Sequence, residues 1–315
     1  SRCCDFWWRY VVENRLLWIE CNRNGGSGKM GPVEGVDRGT NPYDHVVLQS
    51  RPNCAVHARP IGKHAMLLLT PPQTATLEDW FLPERVGPLI GPHVIATGRG
   101  RCWVDHWPSP RALVVETGGN YVMAGDPDAL TPFELQPHIK GFVYGPGGFA
   151  PLLRAAFPDL QVWQRIIFAP LADEVALPAA APGTRRLTAA DTAALEGMGS
   201  ESAWISKSWG GPQGLAHSGY AWGAFVDGEL AAVACTFFLS RSYEEVGVVT
   251  APQFRRRGLS TACSAGLCRD IRARGRRPLW STSPDNTASL RVAEKLGLLV
   301  ERQDDAYVIG IDIPA

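Results

Sequence analysis

The residues with the clearest chemical potential are Arg255-Arg256-Arg257-Gly258-Leu259-Ser260. They follow a β-branched run, Val248-Val249-Thr250, and lead into a segment where Leu259, Cys263, Leu267 and Ile271 recur near the helical period. A strand thus runs through a short basic loop into a helix. Such a loop turns successive backbone N–H groups toward one point, and the helix N-terminus adds partial positive charge. Gly258 carries no Cβ to block a close approach. The chemistry is that of a pyrophosphate cradle.

Other constellations carry less. Gly25-Gly26-Ser27-Gly28-Lys29-Met30 resembles a phosphate loop but has Arg23 where glycine is required and Met30 where a hydroxyl must ligate magnesium. Cys54, His57 and His64 lack a fourth ligand and a paired CxxC, so no metal is expected. Cys102, Asp105 and His106 form no nucleophile elbow. Cys235, Cys263 and Cys268 sit in apolar patterns and read as core thiols. His217 has nothing beside it to orient its ring and reads as a surface or structural histidine.

The basic loop resembles the cofactor signature of the GNAT N-acetyltransferase superfamily, Arg/Gln-x-x-Gly-x-Gly/Ala, with Ser260 at the last place. Downstream, Asn286 opens a helix ending in Lys295-Leu296-Gly297-Leu298, which is similar to the family's Asn-headed helix closed by Lys-x-Gly-Phe. The likeness spans about residues 185–313. It implies acetyl-CoA as co-substrate, held by the loop Arg255, Arg256, Arg257, Gly258, Leu259 and Ser260, by the backbone of Val248, Val249 and Thr250, and by Asn286 and Ser289. An amide near Val248 would polarise the acetyl carbonyl. The resemblance also implies a carboxylate base on the same strand. Glu244, 11 residues before Arg255, has the spacing, and Glu245 is the alternative, since alternation lets only one face the cleft. Trp204 and Trp209 would wall an acceptor pocket or pack on the sheet. Where many relatives carry a Tyr acid this chain has Ala293, leaving Ser281, Ser283, Ser289 or water to serve. Ser289 and Ala293 together resemble the GNAT group with an extra N-terminal domain, related to antibiotic self-resistance acetyltransferases. The implied reaction is acetyl transfer to a primary amine of a small molecule or peptide. A non-catalytic CoA-binding or interaction module with a GNAT fold is the second reading, which Ala293 favours.

The elements that must position these residues follow from period and punctuation. Residues 1–45 read as a flexible or non-native extension. Residues 46–170 read as an α/β domain, with a buried strand at Ala65–Thr70, a helix at Thr74–Leu82 and strands at Val94–Ala96, Cys102–Asp105, Ala112–Glu116 and Asn120–Ala124. A capped helix at Asp126–Gln136 precedes the strand Gly141–Tyr144, the helix Phe149–Phe157 and the strand Val162–Phe168. Residues 171–184, punctuated by Pro178, Pro182 and Gly183, read as a linker. Residues 185–315 read as a second domain, with a hairpin about Asp227-Gly228, a strand at Tyr243–Thr250 and helices at Ser260–Arg274 and Thr287–Leu296. The expected class is α/β with an α+β mixed sheet, a C-terminal GNAT fold preceded by a smaller α/β domain that can itself be a degenerate GNAT-like tandem copy.

Composition narrows the field. The chain has 315 residues, and its 31 Lys+Arg balance 31 Asp+Glu. Polyanion binding through bulk charge is disfavoured, so neither nucleic acid nor membrane surface is an expected partner, and a homodimer stays open. No apolar run reaches the roughly 18 residues of a membrane span. Eight cysteines without a secreted rhythm, and no signal-like apolar stretch near the start, give a cytoplasmic expectation.

Overall fold

The computed structural model describes residues 65–179 and 181–314, together with the backbone of one antiparallel hairpin, β1 (Arg9–Val12) with β2 (Arg15–Trp18). The phosphate-loop-like Gly25–Met30 segment and the Cys54, His57 and His64 set lie outside the described residues. The N-terminal half then runs β3 (Leu67–Leu68), α1 (Pro71–Ala75), α2 (Ile90–Thr97), β4 (Arg101–Val104), β5 (Ala112–Thr117), β6 (Asn120–Gly125), α3 (Pro132–Leu135), β7 (Gly141–Tyr144), α4 (Ala150–Ala156) and β8 (Gln161–Phe168). The C-terminal half runs β9 (Thr184–Arg186), α5 (Thr192–Glu196), α6 (Pro212–Ser218), β10 (Ala221–Val226), β11 (Glu229–Leu239), β12 (Tyr243–Thr250), α7 (Leu259–Ala273), β13 (Arg277–Leu279), β14 (Ser281–Thr282), α8 (Thr287–Lys295) and β15 (Val300–Ile309). A 3-10 segment, Ser200–Trp209, precedes α6.

Two mixed sheets carry the architecture, as the expected α/β class requires. One is β13-β12-β11-β10-β9. Its core toward α7 holds Ala232, Ala234, Val246, Cys263, Leu267 and Ile271. Its core toward α5, α6 and the 3-10 segment holds Val233, Cys235, Leu195, Ile205, Trp209 and Leu215. The other sheet is β14-β8-β15-β7-β6-β5-β4-β3, with α3 and α4 packed on it.

The second sheet joins the two halves. β15 pairs antiparallel with β7 and with β8, and β14 pairs antiparallel with β8. Residues 171–184 therefore link the halves covalently without marking a division between sheets, and from Ala65 onward the chain is one compact unit. Side chains add further ties: Arg241 to Glu78, Glu84 to the backbone of Arg241 and Ser242, and Arg302 to the Val86 carbonyl.

Most elements follow local rules. Asp227 and Gly228 have φ of 51° and 85°, the left-handed pair that a tight hairpin needs. Thr188 and Asp191 form a capping box, as do Thr131 and Glu134. Gly266 lets α7 approach the sheet, because a Cβ there would lie 2.4 Å from the Trp222 ring.

Several expectations change. Val94–Ala96 is not a strand but part of α2. Pro92 sits in the first turn, where its missing N–H costs nothing, Ile90, His93 and Val94 form the buried face, and left-handed Gly98 ends the helix. The Ala65–Thr70 strand shrinks to an edge pair, with Leu67 and Leu68 exposed rather than buried. The helix expected over Thr74–Leu82 divides into α1 and a 3-10 turn, Glu78–Phe81.

His93 is wholly buried in α2, with Nε2 within 3.0 Å of the Ser208 carbonyl and its ring edge-on to Trp209 and Phe238. Burial, with a smaller push from Arg99, lowers its pKa to about 4 from 6.5. Between those values the unfolded chain binds more protons than the folded one, so stability falls as the pH is lowered through that window. Urea midpoints at about pH 7.5 and about pH 5 are expected to differ more for the parent protein than for His93→Gln.

Candidate active site

β12 is the strand that matters. Its first residues pair in parallel with β13, Tyr243 with Arg277, Glu244 with Pro278 and Glu245 with Leu279. There the pairing stops. The carbonyls of Pro278 and Trp280 instead accept the N–H groups of Leu171 and Phe168, and β14 pairs with β8. The N-terminal half thus draws β14 away, and β12 continues alone to Thr250 with one edge unpaired.

The orientation of that edge follows from alternation. The Ala251 N–H donates to the Ala231 carbonyl, toward β11. Val249 shares that direction, so the N–H groups of Val248 and Thr250 point into the gap.

At the far end of the gap lies the basic loop. A 3-10 turn, Pro252–Phe254, leads to Arg256 at φ 64° and Gly258 at φ 77°, both left-handed. Gly258 is the N-cap of α7, and no side chain caps that helix. A Cβ built on Gly258 would meet nothing within 4 Å, so the backbone borders open space. The first N–H groups of a 15-residue helix therefore open onto an exposed loop with no side-chain cap. Arg255, Arg256 and Arg257 are exposed around it, Arg255 within 3.8 Å of Glu201 and Arg257 over the Phe254 ring. Ser260 has its own role: its Oγ lies 2.7 Å from Thr250 Oγ1, tying the end of β12 to the first turn of α7. Asn286 caps α8, its Oδ1 accepting the Ser289 N–H, while Ser289 Oγ accepts from Trp280 Nε1.

The two strand carboxylates part company. Glu244 is fully buried on the α7 side. Arg274 holds it with two bonds of 2.8 and 2.6 Å, Arg276 with one of 3.1 Å and Thr236 with one of 2.5 Å. Four donated bonds to a carboxylate beneath the sheet leave nothing for a substrate proton, so the spacing that favours Glu244 as base selects a structural residue. Glu245 faces the other way, beside Ser281, Tyr144 and Arg165. Its Oε1 accepts from Ser281 Oγ at 2.5 Å, and its Oε2 is buried without a hydrogen-bond partner. Burial raises its pKa, against the Ser281 bond, the Arg165 charge and the nearby Leu89 N–H.

The tryptophans divide likewise. Trp209 is core: it stacks on Tyr220 and donates to the Thr236 carbonyl at 2.7 Å, so it cannot wall a pocket. Trp204 is 38 % exposed and edge-on to Phe237. His217 is a surface residue bonded to its own helix. Cys263 and Cys268 are buried thiols pushed up to about 12 by desolvation. Ala293 is fully buried and serves packing. Tyr144 and Arg165 were missed by sequence reasoning because they lie in the other half; the available signal was a cation at an alternating position within an otherwise apolar strand end.

Among the described residues, no group of three or more His, Cys, Asp or Glu is placed to hold a metal ion, and no helix is long and apolar enough to cross a membrane.

Comparison with known proteins identifies the family and the fold. The family model described as GNAT acetyltransferase matches residues 90–307. A Streptomyces virginiae protein, described as an uncharacterized N-acetyltransferase in the mutA 5′ region, is 40 % identical over 214 residues, 66 % of this chain and 90 % of that protein. Among solved structures, a GCN5-related N-acetyltransferase-like protein from Streptococcus suis superposes with a TM-score of 0.59 at 16 % identity, covering 76 % of this chain and 99 % of that one. A GNAT-family acetyltransferase from Colwellia psychrerythraea gives 0.54 at 12 % identity, over 77 % and 98 %. At these identities the structural likeness speaks for the fold.

Removing the buried carboxylate while keeping its shape tests its structural role. Glu244→Gln leaves Arg274 and Arg276 uncompensated and is expected to cost about 3–5 kcal/mol of unfolding free energy in a urea titration.

Proposed function

The chain belongs to the GNAT acetyltransferase family, and from that premise we propose that it transfers acetyl from acetyl-CoA to a primary amine of a small molecule or peptide by direct attack, with Glu245 as general base. The observation that carries this is the parting of β12 from β13 at Glu245, with the uncapped start of α7 at the other end of the free strand edge.

The residues present suit the co-substrate. The open space at left-handed Gly258 and the free N–H groups of α7 fit a pyrophosphate, with Arg255, Arg256 and Arg257 around it. The unpaired edge of Val248, Val249 and Thr250 fits the amide-bearing arm as an added strand, and Asn286 lies at the head of the neighbouring helix. Bound acetyl-CoA supplies an activated acyl group with a thiolate leaving group. The Val248 N–H, aimed into the gap, donates to the acyl oxygen as negative charge develops there. Glu245 takes the proton of the attacking amine at Oε2. Its raised pKa makes it a stronger base than a solvated carboxylate. With Ala293 buried and bearing no proton, water or a nearby serine such as Ser289, whose Oγ accepts from Trp280 and keeps its own O–H, protonates the departing thiolate, which at a thiol pKa near 8.5 is a good leaving group.

Two experiments test this. Calorimetry should find acetyl-CoA binding in the parent protein and weaker binding in Gly258→Val, because a β-branched residue resists the left-handed backbone that aims the loop. Absence of binding in the parent would sink the reading. Glu245→Gln should lower kcat by about 10²–10⁴ and remove the acidic limb of the kcat/KM profile, with acetyl-CoA affinity retained. The same variant should be more stable near neutral pH: a carboxylate whose folded pKa is raised costs stability as pH rises through that pKa, and Gln removes the cost.

A further inference from the structure

The acceptor side of Glu245 is built by the N-terminal half. β8 runs beside β14, with Ile166 opposite Thr282, which places Arg165 next to Ser283 at the mouth of the gap. Trp163 and Arg165 alternate onto one face, opposite in direction to Ile166 and Phe168, which pack toward α7 and α8. Across β15, Trp163 is paired with Ala306. Continuing the β15–β7 register by one residue sets Ala306 opposite Tyr144 as well. The small Ala306 lets side chains of the two flanking strands meet above it.

Arg165 is held but not neutralised. Its guanidinium carbon lies over the Trp163 ring, 4.0 Å from the centroid. The Tyr144 hydroxyl sits beside it. Its cross-strand neighbour Asp304 is already taken, by Arg302 at 2.8 Å and Arg85 at 3.4 Å. Among the described residues Arg165 has no carboxylate within ion-pair distance. Three polar atoms of this cluster are buried without partners: the donors Trp163 Nε1 and Arg165 Nε, and the acceptor Glu245 Oε2. Unpartnered buried groups are costly, and donors beside an acceptor are the complement of a ligand bearing both an anion and an ammonium. One cation, with Glu245 and Asp304 close by, suits a singly charged carboxylate better than a doubly charged phosphate.

We infer that the acceptor is an amine that also carries a carboxylate, the carboxylate received by Arg165 with the Tyr144 hydroxyl and the amine presented to Glu245. The inference rests on the acetyl-transfer reading above.

The test uses the full chain with acetyl-CoA and a ladder of ω-amino acids, glycine to 6-aminohexanoate, each against its primary amide, followed by thiol release. At the chain length that fits, kcat/KM for the acid should exceed that for the amide about tenfold or more, the scale of a charge-assisted hydrogen bond. Arg165→Gln should collapse that ratio toward one through KM for the acid, and Tyr144→Phe should reduce it partly. If Arg165→Gln does not fold, Arg165→Lys should retain only part of the preference. Amides used as well as acids along the whole ladder, or a ratio unmoved in these variants, would overturn the inference and leave acetyl transfer standing. Acetyl-CoA binding with no ladder member turned over also counts against it. Failure of the parent protein to bind acetyl-CoA would instead remove the activity on which it rests.

Discussion

Everything at the site is referenced to one buried carboxylate. Glu244 gathers Thr236 of β11, Arg274 at the end of α7 and Arg276 just before β13, while sitting itself at the start of β12. Four elements are thereby pinned at one point. From it β12 runs out toward the basic loop and α7 runs back from that loop, so the loop's position is set from both ends. A buried ion cluster is a poor source of net stability, since desolvation offsets most of the attraction. Its return is geometric: the angle between β12 and α7, and hence the place where the helix N-terminus points, has no freedom at its base. Arg274 also lies over Tyr220, which stacks on Trp209, so the same anchor reaches the opposite face of the sheet.

The gap beside β12 is opened by competition for hydrogen bonds. β13 and β14 follow one another directly, yet the first pairs with β12 and the second with β8. Because β8 belongs to the N-terminal half, that half is part of the site in two respects. It holds the gap open through the backbone, and it supplies Arg165 and Tyr144 on the face where Glu245 is directed.

Local features were legible in the sequence to different depths. The loop at Arg255–Ser260, the Asn286-headed helix and the Asp227-Gly228 hairpin were readable because each depends on backbone geometry that only certain residues permit at fixed spacing. The choice between Glu244 and Glu245 was not. Spacing along a strand gives alternation but not its phase; the phase is set by which face α7 covers, and the arginines that claim Glu244 lie thirty residues on and beyond. Trp209 shows the same limit, since an aromatic in a polar segment can be a wall or a wedge, and its bond to the Thr236 carbonyl makes it a wedge. α2 hid behind Pro92, which looks like a breaker but sits where a helix tolerates it. The sharing of a sheet between the halves left no local trace, because strand pairing at long range is not written in either partner alone.

β15 lies between β7 and β8 in space but follows both in the chain, with everything from β9 to α8 intervening. During synthesis β7 and β8 leave the ribosome as strands without their shared neighbour, and they keep open edges until residues 300–309 arrive. Long-range pairing of this kind is slow, and an open edge is a template for wrong partners in the meantime. The eight-stranded sheet is thus complete only when the last strand of the chain has paired with both β7 and β8.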